Sequence, residues 1–186
     1  MVRLVMLGGS GAGKGTQARR LSTQLGIPAI ATGEILRGGI AADTTLGKKA
    51  KPYVEKGELV PDEMMIQFMR QRLLESDISK GWVLDGYPRT AFQAEELDFL
   101  LENLEQRLNW AIYLQVSEAV MMARSLARSL PDDRPEILQR RLQMFRDRTI
   151  PILEYYDRSK RLLTIPAEGD PAQIEREILH KLNLTS

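Results

Sequence analysis

Gly8-Gly9-Ser10-Gly11-Ala12-Gly13-Lys14-Gly15-Thr16 sets two glycines and a lysine at the spacing G-x-x-x-x-G-K. Glycines let backbone N–H groups turn inward around an anion, and the lysine reaches outer phosphates as a point charge. The chemistry this predicts is the cradling of a polyphosphate by Gly11, Ala12, Gly13, Lys14, Gly15 and Thr16. The Ser or Thr that commonly follows the lysine is displaced by Gly15, with Thr16 next. A second cluster is Trp82-Val83-Leu84-Asp85-Gly86-Tyr87-Pro88-Arg89-Thr90. Its apolar run ends in Asp85, a carboxylate placed where parallel sheets bind ligands and suited to magnesium through the ion's water shell. Gly86 and Pro88 shape a turn that aims Arg89 into the same crevice. Arg124 and Arg128, four apart, share one helix face, and Arg134 and Arg141, seven apart, share another. With Lys14 and Arg89, these cations can converge on a chain of phosphates.

The elements that must hold these residues alternate between short apolar runs and longer amphipathic segments. Val2–Leu7, Pro28–Ala31, Trp82–Asp85, Trp110–Val116 and Leu162–Ile165 read as strands, nearly continuous in apolar residues as strands covered on both faces should be. A helix is predicted from Lys14 to Leu25. Met64, Met65, Phe68, Met69 and Leu73 form a helical stripe with Arg72 at its edge. Leu97, Leu100, Leu101, Leu104 and Leu108 form another, and Ile174, Ile178 and Leu182 a third behind Gly169-Asp170-Pro171. Alternation with short connections predicts a three-layer α/β fold on a five-stranded parallel sheet. Residues 32–61 offer helices without a strand and read as an insertion. Thr32 has the chemistry of a helix N-cap, with Arg37 more than one turn along, and Pro61 suits the first position of the next helix. The whole chain, 1–186, reads as one domain.

Apolar residues make up 43% and charged residues 27%, the balance of a globular chain, and the net charge of +1 offers no bulk field for nucleic acid or membrane. The absence of cysteine excludes disulfides, thiolate zinc sites and a cysteine nucleophile. Val2–Leu7 is too short for a secretory signal, and nothing approaches the ~18 apolar residues of a membrane helix. A cytoplasmic location is expected. Met121-Met122 reads as core packing and the lone His180 as surface.

The loop variant G-K-G-T followed by Gln17 resembles the nucleoside monophosphate kinases, adenylate kinases in particular. Thr32-Gly33-Glu34-Ile35-Leu36-Arg37 resembles that family's T-G-[DE]-x-L-R segment, and Asp85-Gly86-Tyr87-Pro88-Arg89-Thr90 with Gln93 its D-G-[FY]-P-R-T-x-x-Q. Gly57-Glu58-Leu59-Val60-Pro61-Asp62 is similar to the element between them. The resemblance implies transfer of the γ-phosphoryl of MgATP to AMP, giving two ADP, with Mg2+ travelling on the ATP and Asp85 serving it through water. It implies an ATP site at Gly11–Thr16 with Arg128 and Gly169. The AMP site it implies is Thr32, Arg37, Glu58, Leu59, Val60, Gly86, Tyr87, Pro88, Arg89, Gln93 and Arg141. Lys14, Arg89, Arg124, Arg128 and Arg141 would do the catalysis. Residues 32–61 would be the AMP-binding insertion and 128–134 a residual lid. Only Ser129-Leu130-Pro131 separate Arg128 from Asp132-Asp133, and Leu130 stands where relatives carry a lid arginine. A monomer acting on ATP and AMP is expected. A kinase for UMP, CMP or another small molecule on the same scaffold, and a non-catalytic adenine-nucleotide sensor, stay open as alternatives.

Overall fold

The computed structural model describes residues 1–56, 58–128 and 134–183. Five parallel strands form one sheet in the order β2-β3-β1-β4-β5: β1 Val2–Leu7, β2 Ala29–Ala31, β3 Gly81–Asp85, β4 Trp110–Gln115 and β5 Leu162–Pro166. In β1 the alternation is visible residue by residue. Val5 and Leu7 join the core on one face, Leu4 and Met6 the core on the other. Both sets are buried, which is why the strand is apolar throughout. β1 pairs with β3 on one side, Met6 opposite Asp85, and with β4 on the other. The chain therefore leaves the centre of the sheet in opposite directions, and a crevice opens at the carboxyl ends of these strands.

Among the described residues there are eight α-helices: α1 Lys14–Leu25, α2 Thr32–Ala41, α3 Thr45–Glu55, α4 Asp62–Arg72, α5 Ala91–Asn103, α6 Glu118–Arg128, α7 Pro135–Arg158 and α8 Pro171–Lys181. The predicted strands and helix α1 fall at or within a residue of the observed ones. The leucine stripe outruns its helix: Leu104 caps α5, and Leu108 lies beyond it yet is buried. Asp170 accepts from the amides of Ala172 and Gln173 and Pro171 opens α8, as the start signal requires.

Three sequence expectations shift. Thr32 is not an N-cap: β2 runs directly into α2, Ala31 takes the capping position without a side-chain bond, and Thr32 is the first helical residue. Pro61 caps α4, which begins one residue later at Asp62. Arg134 caps α7 in an extended conformation, so it is not one of a helical pair with Arg141; Pro135 supplies the first turn. Residues Ser129 to Asp133, and Gly57, lie outside the described residues, and with them most of the expected lid.

Helices α2 and α3 cross where they carry glycine. A Cβ on Gly47 would lie 2.0 Å from the Gly39 carbonyl oxygen, so the two backbones touch. Thr44 caps α3 by accepting from Gly47 N–H at 2.9 Å. Elsewhere, Arg161 grips Asp98 of α5 through its two terminal guanidinium nitrogens at 2.8 and 2.6 Å, and Tyr155 donates to the same carboxylate at 2.6 Å. Burial, then Asp98, pushes the Tyr155 phenol up to about 12. Among the described residues no helix is long and apolar enough to cross a membrane.

Candidate active site

Between β1 and α1 the chain turns back on itself at Gly11 and Gly13, which have φ of 84° and 96°. L side chains rarely adopt these values. Gly11 is also pressed against α6, where an added Cβ would meet the Met121 carbonyl oxygen at 2.4 Å. Gly9 is held the same way, against the Met121 sulfur, so Met121 packs the underside of the loop. Gly13 caps α1 with no side-chain acceptor, which leaves the first amides of the helix unclaimed by any cap and open to an anion. Ala12 is buried and anchors the loop in the core, while Thr16 is exposed.

Lys14 folds over this loop and donates to the Gly9 carbonyl at 3.0 Å. Burial lowers its pKa; Asp85 opposes that shift, and Arg89 and Arg128 add to it. The ammonium group thus sits among the charges that the sequence pattern expects to meet. Asp85 lies across from the start of α1, with Oδ2 3.2 Å from where a Cβ on Gly15 would be. A side chain at position 15 would therefore meet that carboxylate directly.

Beyond Asp85 the turn is tightly constrained. Gly86 has φ of 89°, and its Cβ would fall 2.5 Å from the Thr32 hydroxyl, so the buried Thr32 packs directly on the turn. The Tyr87–Pro88 peptide is cis, and Tyr87 is buried with its hydroxyl donating to the Gln93 carbonyl at 3.3 Å. Arg89 Nε donates to the Gly86 carbonyl at 2.8 Å. Partial desolvation in the crevice lowers the Arg89 pKa; Asp85 opposes, while Arg141 and Arg148 lower it further. Arg148, seven residues after Arg141 on α7, went unnoticed in the sequence, although that spacing puts it on the same face.

Gln93 is buried, with its amide between Arg89 N–H and Asp62. Val60 is buried, Glu58 and Leu59 are exposed, and Glu58 N–H donates to the Tyr53 carbonyl at 2.8 Å. Arg37 folds back over its own first turn, its Nη1 3.1 Å from where a Gly33 Cβ would stand. Arg124 reaches three carbonyls, Gly11 at 3.4 Å, Ala167 at 3.0 Å and Glu168 at 3.0 Å. It joins the phosphate loop to the β5–α8 connection that carries Gly169, where Glu168 in turn accepts from Ser117 N–H at 2.8 Å.

A parallel sheet of this order, with an anion-shaped loop at its central strand, places the chain among the phosphate-loop phosphotransferases. Residues 6–161 match the family model described as Adenylate kinase. The chain is 63% identical to "Adenylate kinase 2" of a Nostoc species, over 99% of this chain and all of that protein. It is 56% identical to "Adenylate kinase 2" of a Synechocystis species, over 97% of this chain and all of that protein. "Adenylate kinase 1" of the same Nostoc is 43% identical over the whole of this chain and 98% of its own length. The chain belongs to the adenylate kinase family, a family of phosphotransferase enzymes.

Proposed function

We propose that this enzyme transfers the γ-phosphoryl group of MgATP to AMP, giving two ADP, through a donor half built on the phosphate loop and an acceptor half built around Arg89. The observation that carries this reading is the position of Lys14, hydrogen-bonded inside the glycine loop with Asp85 and Arg89 as its electrostatic neighbours. The amides of Gly11 to Thr16 and Lys14 hold the β- and γ-phosphates, with Arg128 and Gly169 completing the ATP site. Arg89 takes the AMP phosphate, helped by Arg37, Thr32 and Arg141. Glu58 to Val60, Gly86 to Pro88 and Gln93 surround the acceptor nucleoside. Arg124, Arg128 and Arg141 close on the transferring group, with Arg148 adding positive charge near Arg89. Arg124 holds the loop in register with the β5–α8 connection.

No side chain need act as nucleophile, because the AMP phosphate oxygen is already anionic. Catalysis is then in-line placement together with charge neutralisation. Magnesium arrives with the ATP. Among the described residues no cluster of three or more His, Cys, Asp or Glu could cage a metal, and Asp85 lies beside the start of α1. One carboxylate acting through water suits an ion held chiefly by phosphates. Residues 32–61 form the acceptor-binding insertion, and 128–134 the remnant of a lid. A cytoplasmic monomer fits a reaction whose substrates are all soluble nucleotides and whose two halves lie in one chain.

A coupled assay of ADP production from ATP with AMP, CMP, UMP or GMP tests the reading. AMP should be the strongly preferred acceptor. A pyrimidine preference would overturn the acceptor assignment, and tight ATP binding with no ADP formed would make the chain a sensor.

A further inference from the structure

Gln93 is 4% exposed, and its amide is held at both ends. Oε1 accepts from the Arg89 backbone N–H at 2.7 Å, and Nε2 donates to Asp62 Oδ1 at 2.7 Å. A backbone N–H only donates and an ionised carboxylate only accepts. The two partners therefore admit one amide orientation; the reverse would set donor against donor and acceptor against acceptor. The main chain of Gln93 is fixed as well, its N–H donating to Thr90 Oγ1 at 3.1 Å and its carbonyl accepting from Tyr87.

An amide so held keeps one lone pair on Oε1 and one N–H on Nε2 for a ligand. That edge matches a purine with an exocyclic amine donor beside a ring-nitrogen acceptor, which is adenine. A 6-oxopurine presents a carbonyl acceptor beside an N1–H donor, and needs the amide reversed. We infer that Asp62 is a specificity-determining positioning residue: by fixing the Gln93 amide, it makes the acceptor site choose AMP over 6-oxopurine monophosphates. The inference rests on Gln93 facing the acceptor base. Asp62 touches Gln93, and acts on the substrate only through it. It lies 31 residues from Gln93 in sequence, at the first position of α4, so it also ties the acceptor helices to the turn that carries Arg89.

The test measures kcat and KM for AMP, IMP and GMP at saturating ATP, together with KM for ATP and thermal melting, in the wild type, Asp62→Ala, Asp62→Asn and Gln93→Ala. Asp62→Ala should raise KM for AMP and lower the AMP-over-IMP preference, each on the order of tenfold, because a hydrogen bond to a charged group is lost. KM for ATP should not move. Asp62→Asn keeps the shape at the start of α4 and an Oδ1 that can still accept from Nε2, so it should restore most of the preference that Asp62→Ala loses. A purely structural role would lower the melting temperature without changing the AMP-to-IMP ratio. If Asp62→Ala keeps the wild-type ratio, or Asp62→Asn loses it as fully as Asp62→Ala, while Gln93→Ala loses it, the inference fails and the reading of Gln93 stands. If Gln93→Ala also keeps the ratio, both fall together.

Discussion

The donor and acceptor halves of the crevice are built in different materials. The donor half is main chain: a loop pinned between the central strand and α6, with glycines where any side chain would strike Met121. The acceptor half is side chains on helices that stand outside the sheet. In α2 the one buried residue is Thr32, which packs on Gly86, and Gln93 of α5 bonds Asp62 at the start of α4. Main-chain sites are shaped by the core before a ligand arrives; side-chain sites depend on each hydrogen bond being kept. Changes to the donor main chain should therefore cost stability and turnover together, and those on the acceptor side should act chiefly on the acceptor.

The largest effect should come from Lys14→Ala. Removing one positioned cation from a transferring phosphoryl group costs about 10²–10³ in rate or more. ADP formation should fall by at least that much while the far-UV circular dichroism stays unchanged; near wild-type turnover would remove the loop from the mechanism. Gly11→Ala comes next. It forces a Cβ onto the Met121 carbonyl at a φ of 84°, so it should lower stability by ~2 kcal/mol, roughly 4–8 °C in a domain of this size. KM for ATP should rise with it, read by melting and steady-state kinetics.

Gly47→Ala provides the opposing case. It pushes α3 away from the Gly39 carbonyl, and should raise KM for AMP while leaving KM for ATP alone. Equal effects on both substrates would erase the distinction between the halves. The smallest effect is in pH. Burial holds Lys14 below its ordinary value in the nucleotide-free enzyme. The unfolded chain then binds more protons between the lowered and ordinary values, so the free protein gains stability as pH rises through that alkaline window. A bound polyphosphate raises the lysine again. ATP binding at alkaline pH should therefore take up protons, seen as a dependence of calorimetric heat on the buffer's ionisation enthalpy. No such dependence would place the ammonium away from the phosphates.

The same division governs how much could be read from the residues alone. The strands, α1 and the loop were legible because main-chain geometry restricts residue type: apolar runs where both faces are covered, glycine where φ is positive. The acceptor half was legible from its residues only in the turn that aims Arg89 into the crevice; the rest came through family resemblance. Gln93 was found that way, but its partner Asp62 was not, since nothing local links positions so far apart. Thr32 misled because a good capping residue also makes a good packing residue. Its hydroxyl lies against Gly86, a contact made by tertiary structure and invisible in the local pattern. Arg148 carried a usable signal, its spacing from Arg141, and was missed because a lone helix arginine is ordinarily solvated.

The bond from Lys14 to the Gly9 carbonyl means that the resting loop already contains a guest of its own making. An incoming anion must draw that ammonium away before it can settle. Adjoining phosphates offer it several oxygens at once in place of that single carbonyl.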